Sequence, residues 1–170
     1  MNNEPAERVP SVKLLVQRAK TCRIVCLMDE LLGDRQTFIT YVPLRTEVRA
    51  LDNISLPRGA NVYEIAPRAA LDPVAEAAAT LRTAGETKTV ILIPGRKFDA
   101  AGTRHGQGGG WYDRFLARVP REWLRVGFCF EQQFSNEPLP RENWDQTMDI
   151  VCVVRKDGIL EVRDIRAKVP

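Results

Sequence analysis

Apolar positions along the chain fall into short runs, separated by polar turns and by a few stretches with helical spacing. Residues 23–28 (RIVCLM), 89–94 (TVILIP), 125–130 (RVGFCF) and 149–154 (DIVCVV) are apolar enough to predict strands covered on both faces. Residues 37–42 (TFITYV) follow a Gly33-Asp34 turn and are rich in β-branched and aromatic side chains, which predicts another strand. Pro57 and Gly59 mark a loop, and Lys156-Asp157-Gly158 turns the chain into a last strand over 159–162. Near the start, Val12, Leu14, Leu15 and Ala19 form a loose stripe among Lys and Arg that predicts a helix. Asp72-Pro73 offers a capping acceptor and a proline for the first turn, the body over 74–82 is alanine-rich, and Gly85 fits a stop. A further helix is predicted over 111–118, after a long glycine-bearing loop.

Apolar strands separated by helices argue for an α/β sandwich with a largely parallel central sheet. Ligands of such sheets sit beyond the carboxyl ends of the strands. The strand over 89–94 empties directly into the glycine loop, which makes that loop the place to look for chemistry. The first ten residues read as a mobile lead-in, and 11–170 as a single domain.

Composition narrows the function. Hydrophobic residues make up 44% and charged residues 28%, an ordinary globular balance. The formal net charge of +3 is too small, and the arginines too scattered, to predict a nucleic-acid partner. No apolar run approaches the roughly 20 residues that span a bilayer, and the polar start lacks the apolar core of a secretory signal. A cytoplasmic protein is expected, or a mitochondrial one if a targeting segment has been removed. Cys22, Cys26, Cys129 and Cys152 include no C-x-x-C pair, and three of them lie in apolar runs, so buried thiols are expected.

The loop between residues 94 and 111 holds Gly106, Gly108, Gly109 and Gly110. A backbone without Cβ atoms bends sharply and brings several N–H groups close to an anion. The helix that follows adds free N–H donors at its start. Arg104 offers a planar, charge-assisted fork to the same phosphates. Asp113, in the first helical turn, is a hard oxygen ligand for a magnesium ion. Each residue also has a plainer reading. A glycine cluster serves as a flexible turn, an early helical aspartate as a dipole partner, and Trp111 and Tyr112 as core aromatics with polar tips. The string matches neither the P-loop nor the dinucleotide fingerprint. His105, the only histidine in the chain, has no G-x-S-x-G partner motif and reads as a loop residue.

The full string is more specific than its glycines. Pro94-Gly95, Phe98-Asp99, Gly102, Arg104, Gly106, Gly108, Gly109 and Gly110, then Tyr112-Asp113-Arg114-Phe115-Leu116, resemble the signature of the 5-formyltetrahydrofolate cyclo-ligases, also called methenyltetrahydrofolate synthetases. Trp111 replaces the usual tyrosine. A second block is similar to the family's closing pattern: Val126-Gly127-Phe128-Cys129-Phe130-Glu131-Gln132, Leu139-Pro140, then Asp145 and Asp149-Ile150-Val151. Trp144 stands where a histidine usually precedes that Asp145. In the first half the resemblance aligns 11–22 with a helix and 23–28 with the next strand. It aligns 62–67 with a short strand before a proline turn, with Ala66 in place of an acid. On that alignment the family's opening basic helix and first strand are missing.

The resemblance implies a three-layer, Rossmann-like fold of the cyclo-ligase type. It implies one-carbon chemistry on a reduced folate: ATP- and Mg-dependent cyclisation of 5-formyltetrahydrofolate to 5,10-methenyltetrahydrofolate, with the formyl oxygen attacking the γ-phosphate. ATP would lie on Arg104, Gly106, Gln107, Gly108, Gly109, Gly110, Trp111 and Asp113. Asp113 would hold Mg2+, Tyr112 and Trp111 would line the folate side, and Arg104, Tyr112 and Asp113 would act on the reacting groups. The family's Glu-Val motif, which gives the folate a carboxylate, has one echo in Glu47-Val48, at a spacing that does not suit the expected sheet order. A second reading of the same pattern is a non-catalytic relative. Such a protein would bind nucleotide or folate, or act as a subunit or assembly factor beside a partner that completes the missing elements.

Overall fold

The structure, a computed structural model, describes residues 14–18, 32–67, 71–85 and 88–166. Its main element is a seven-stranded sheet in the order β1 (Leu14–Arg18), β10 (Ile159–Asp164), β9 (Ile150–Val154), β7 (Leu124–Phe130), β4 (Thr89–Pro94), β2 (Thr37–Tyr41), β3 (Asn61–Ile65). The pairs β3–β2, β2–β4, β4–β7 and β7–β9 are parallel, while β9–β10 and β10–β1 are antiparallel. The expected α/β architecture with a mostly parallel sheet is therefore present. Val90, Ile91, Leu92 and Ile93 of β4 are all wholly buried, as an apolar run without alternation requires.

Helix α1 (Pro73–Ala84) begins and ends as its sequence dictates. The Asp72 carboxylate accepts from the Val74 N–H at 3.1 Å, and Gly85 takes a positive φ of 70° while its N–H reaches the Leu81 carbonyl at 2.9 Å. Helix α2 (Trp111–Leu116) is shorter than the expected 111–118, because 117–118 already turn toward Pro120. Helices α1 and α2 pack against each other. No described helix is long and apolar enough to cross a membrane.

One expectation is overturned at the start of the chain. Residues 14–18 form strand β1, paired antiparallel with β10 from Leu14↔Arg163 to Arg18↔Ile159, where the apolar stripe predicted a helix. A stripe of four apolar positions is a weak preference, and pairing with an open strand outweighs it. The same strand contradicts the alignment of 11–22 with a helix. The expected lead-in over 1–10 and strand over 23–28 lie outside the described residues.

The loop after β4 holds structure of its own. Strands β5 (Lys97–Asp99), β6 (Arg104–His105) and β8 (Phe134–Ser135) make a second sheet, in which Phe98 pairs with Arg104 on one side and Phe134 on the other. The buried Asp99 carboxylate shapes the β5–β6 turn. Its Oδ1 accepts from the N–H groups of Ala101 and Thr103, both at 2.9 Å, and its Oδ2 accepts from Leu139 N–H at 2.8 Å. Phe98 is wholly buried, its ring laid over backbone at Gly95 and Gly127.

Cys129 and Cys152 are free and buried in the strands, as expected of apolar runs. Burial pushes the Cys129 thiol up to about 12, and pushes the Cys152 thiol and the Tyr41 and Tyr112 hydroxyls up as well. All four groups stay protonated in the fold at a pH where the unfolded chain ionises. Their contribution to stability is complete below the ordinary values, 9.0 for the two thiols and 10.0 for the two tyrosines, and is lost as pH rises above them. Denaturant melts should show stability falling across that window by up to about 1.4 kcal/mol per pH unit for each group that ionises on unfolding. A flat profile would contradict this burial.

Candidate active site

The carboxyl ends of β2 and β4 open into a cleft of about 710 Å³, a size that suits a small-molecule ligand. The glycine loop Gly106–Gly110 and the start of α2 form one wall. Residues 42–47, returning from β2, contribute Val42, Leu44 and Glu47 to the lining. Pro67, Pro94, Gly95 and Arg96 extend the lining, and Trp144 and Asp145 complete it.

The glycine wall is built as a donor surface. Gly108 and Gly110 adopt positive φ angles of 90° and 57°, which side chains rarely tolerate. Among the described residues, no backbone N–H from Gly106 to Gly110 is used in a backbone hydrogen bond. Gln107, Gly108 and Gly109 are exposed. At six residues, α2 is too short to add much dipole, so the loop amides themselves are the anion-binding feature.

Arg104 lies beneath this loop. Its side chain is only 4% exposed, and its Nη2 donates to Asp113 Oδ2 at 2.9 Å. The guanidinium carbon stands 5.1 Å from the centre of the Tyr112 ring. A Cβ on Gly106 would come within 2.5 Å of Arg104 Nη1, so the loop backbone rests almost directly on the cation. Nothing in the sequence revealed that Arg104 and Asp113, read separately as phosphate and metal ligands, are partners of each other. The other Asp113 oxygen accepts from the Gln146 backbone N–H at 3.0 Å.

Tyr112 is buried along the cleft, and among the described residues its hydroxyl has no hydrogen-bond partner. Burial holds that hydroxyl well above its ordinary pKa, with Arg104 pulling the other way and Glu47 and Tyr41 adding to the rise. It is therefore a proton-bearing group at any physiological pH. Trp111 also lines the cleft, but its indole N–H is committed to the Leu71 carbonyl at 2.9 Å, and its ring stacks on Phe115. His105 is the last residue of β6 rather than part of an irregular loop. Its Nε2 donates to the Pro140 carbonyl at 2.6 Å and ties down the 139–140 turn.

The pattern of likeness to known proteins follows this site. The model of the 5-formyltetrahydrofolate cyclo-ligase family matches residues 37–154, from β2 through β9, a span that contains the whole cleft lining. The chain belongs to the 5-formyltetrahydrofolate cyclo-ligase family. It is 33% identical over 64 residues to a 5-formyltetrahydrofolate cyclo-ligase of Mycoplasma genitalium, covering 36% of each chain. To a cyclo-ligase of Haemophilus influenzae it is 40% identical over 58 residues, 33% of this chain and 30% of the relative. These matches span about a third of the length of the curated relatives. A solved 5,10-methenyltetrahydrofolate synthetase from Mycoplasma pneumoniae superposes on 76% of this chain and 81% of its own, at 17% identity and a TM-score of 0.49.

Two members of this cyclo-ligase-family site were undervalued in the sequence. Glu47 lines the cleft, with its Oε2 accepting from the Leu44 N–H at 2.8 Å. The objection to its spacing therefore falls. β2 lies next to β4, and the segment leaving β2 returns across the same end of the sheet as the glycine loop. Gln133 Nε2 anchors that segment at the Thr46 carbonyl, 3.2 Å away. Asp145 was visible as part of the second block but carried no assigned role. It lines the cleft one residue from Gln146, whose N–H holds Asp113.

Proposed function

We propose that the chain performs the reaction for which its family is named, converting 5-formyltetrahydrofolate and ATP to 5,10-methenyltetrahydrofolate, ADP and phosphate. The observation that carries the reading is one cleft in which a glycine donor loop, a buried cation and two carboxylates face an apolar wall that contains Glu47. The loop amides and Arg104 take the nucleotide phosphates. Preorganised donors of this kind stabilise charge on a transferring phosphoryl group without reorganising at the moment of reaction.

The residues fit a magnesium ion that arrives with the nucleotide. Each Asp113 oxygen has one hydrogen-bond partner and retains an acceptor site, and Asp145 adds a second carboxylate. Among the described residues, no group of three or more His, Cys, Asp or Glu could hold a metal without help, so phosphate oxygens would complete the shell. Bound there, magnesium would neutralise charge on the phosphates. Arg104 aims Asp113 through their ion pair. Tyr112, with its proton, and Trp111, whose rings meet edge to face at 77°, line the pterin side, and Glu47 accepts from its ring N–H groups.

Glu47→Gln keeps the size and loses the charge and one acceptor. It should raise KM for 5-formyltetrahydrofolate about tenfold, the loss of roughly one charge-assisted hydrogen bond. KM for ATP should stay near that of the wild type. Steady-state kinetics with each substrate varied in turn checks this, and an equal rise in both constants would remove Glu47 from the folate side.

A further inference from the structure

Arg125 of β7 lies outside the cleft lining and is 2% exposed, yet its guanidinium bonds to neutral oxygens. Nη1 donates to Gln146 Oε1 at 2.8 Å and Nη2 to the Leu116 carbonyl at 3.0 Å. The Asp149 carboxylate, whose charge acts on Arg125, is occupied by the Arg121 guanidinium and by the Arg125 backbone N–H. Burial lowers the Arg125 pKa to about 10, so the group is still a cation at neutral pH. Burying a cation against neutral partners costs stability. What the arrangement supplies is a fixed Gln146.

Gln146 is bonded in three directions. Its side chain receives Arg125 and donates through Nε2 to the Trp144 carbonyl at 3.1 Å, and its backbone N–H donates to Asp113 Oδ1 at 3.0 Å. Asp145, the second cleft carboxylate, lies between Trp144 and Gln146. One glutamine therefore sets the position of the segment that carries Asp145 and also orients Asp113. Half-buried and without Arg125, its side chain would sample several rotamers and release that segment.

We propose that Arg125 is a positioning residue. Through Gln146 it fixes Asp113 and Asp145 relative to each other, in the arrangement that takes a divalent cation together with nucleotide phosphates. The inference rests on the Mg-ATP reading of the cleft. Groups that orient metal-binding carboxylates through one intermediate contact commonly alter metal affinity by about 10–100-fold when removed.

Calorimetric titration of ATP, with and without Mg2+, into the full chain and its Gln146→Met, Arg125→Met and double variants tests the proposal without relying on turnover. The gain in ATP affinity on adding Mg2+ should fall about tenfold in each single variant, and little further in the double, because both changes break the same Arg125–Gln146 contact. ATP binding without Mg2+ should stay within about twofold of wild type. If Arg125→Met does not fold, the half-buried Gln146→Met carries the test alone. An unchanged Mg2+-dependent gain in Gln146→Met, or losses that multiply in the double variant, would overturn the proposal. A wild-type chain that binds ATP no better with Mg2+ would overturn the nucleotide–metal reading itself, and this inference with it.

Discussion

Asp113→Asn should lower kcat for Mg-ATP-dependent turnover by at least about a hundredfold, the scale set by removing one preorganised charge-stabilising group. The carboxylate is used from both sides, by Arg104 on one oxygen and by the Gln146 N–H on the other. An asparagine has one oxygen for these two donors, so its amide must point N–H groups at one of them. The buried Arg104 also loses its counter-charge, with the pair only 4% and 12% exposed. A stability loss of about 1–3 kcal/mol is expected from the unsatisfied group, within the margin of an ordinary domain. Urea melts beside the kinetics separate the two effects. A folded variant with wild-type kcat would take Asp113 out of the reaction.

The largest effect on stability should come from Phe98. Its ring is wholly buried over Gly95 and Gly127, where added Cβ atoms would stand 2.6 Å and 2.4 Å from it. Phe98→Ala should cost about 3–5 kcal/mol, through lost transfer energy and the cavity left behind. Gly127→Ala should also destabilise, by about 1–3 kcal/mol, because the new methyl group drives into the ring. Combining Gly127→Ala with Phe98→Leu should cost less than the sum of the two, since the smaller side chain relieves the clash. Additive losses in urea melts would contradict this packing. Phe98 also pairs with Arg104 across β5 and β6, so its loss should loosen the cation beneath the glycine loop.

These two residues show what the sequence could and could not reveal. The inner strands were legible because burial on both faces leaves an unbroken apolar signal, as in Thr89–Pro94. Helix α1 was legible because Asp72, Pro73 and Gly85 each do a local job. Strands of two or three residues, β5, β6 and β8, have no period to read, so the loop that carries the site looked irregular. The string from Pro94 to Leu116 was recognisable as a family pattern, but the reason for its Gly-x-x-Phe, a ring seated on backbone, is a long-range contact that includes Gly127. The Arg104–Asp113 pair was hidden because both residues were read as facing a ligand. Glu47 was hidden because its position depends on how the chain returns over the end of β2. Residues 14–18 were misread because a short apolar stripe does not distinguish a helix from a strand that finds a partner.

The most direct test of the central claim is the formation of 5,10-methenyltetrahydrofolate by the purified chain from 5-formyltetrahydrofolate, followed by its absorbance, with ATP and Mg2+ each supplied or withheld. The account predicts product only when both are present, formed in step with phosphate release. Folded protein that binds ATP and 5-formyltetrahydrofolate but forms no product under these conditions would contradict it.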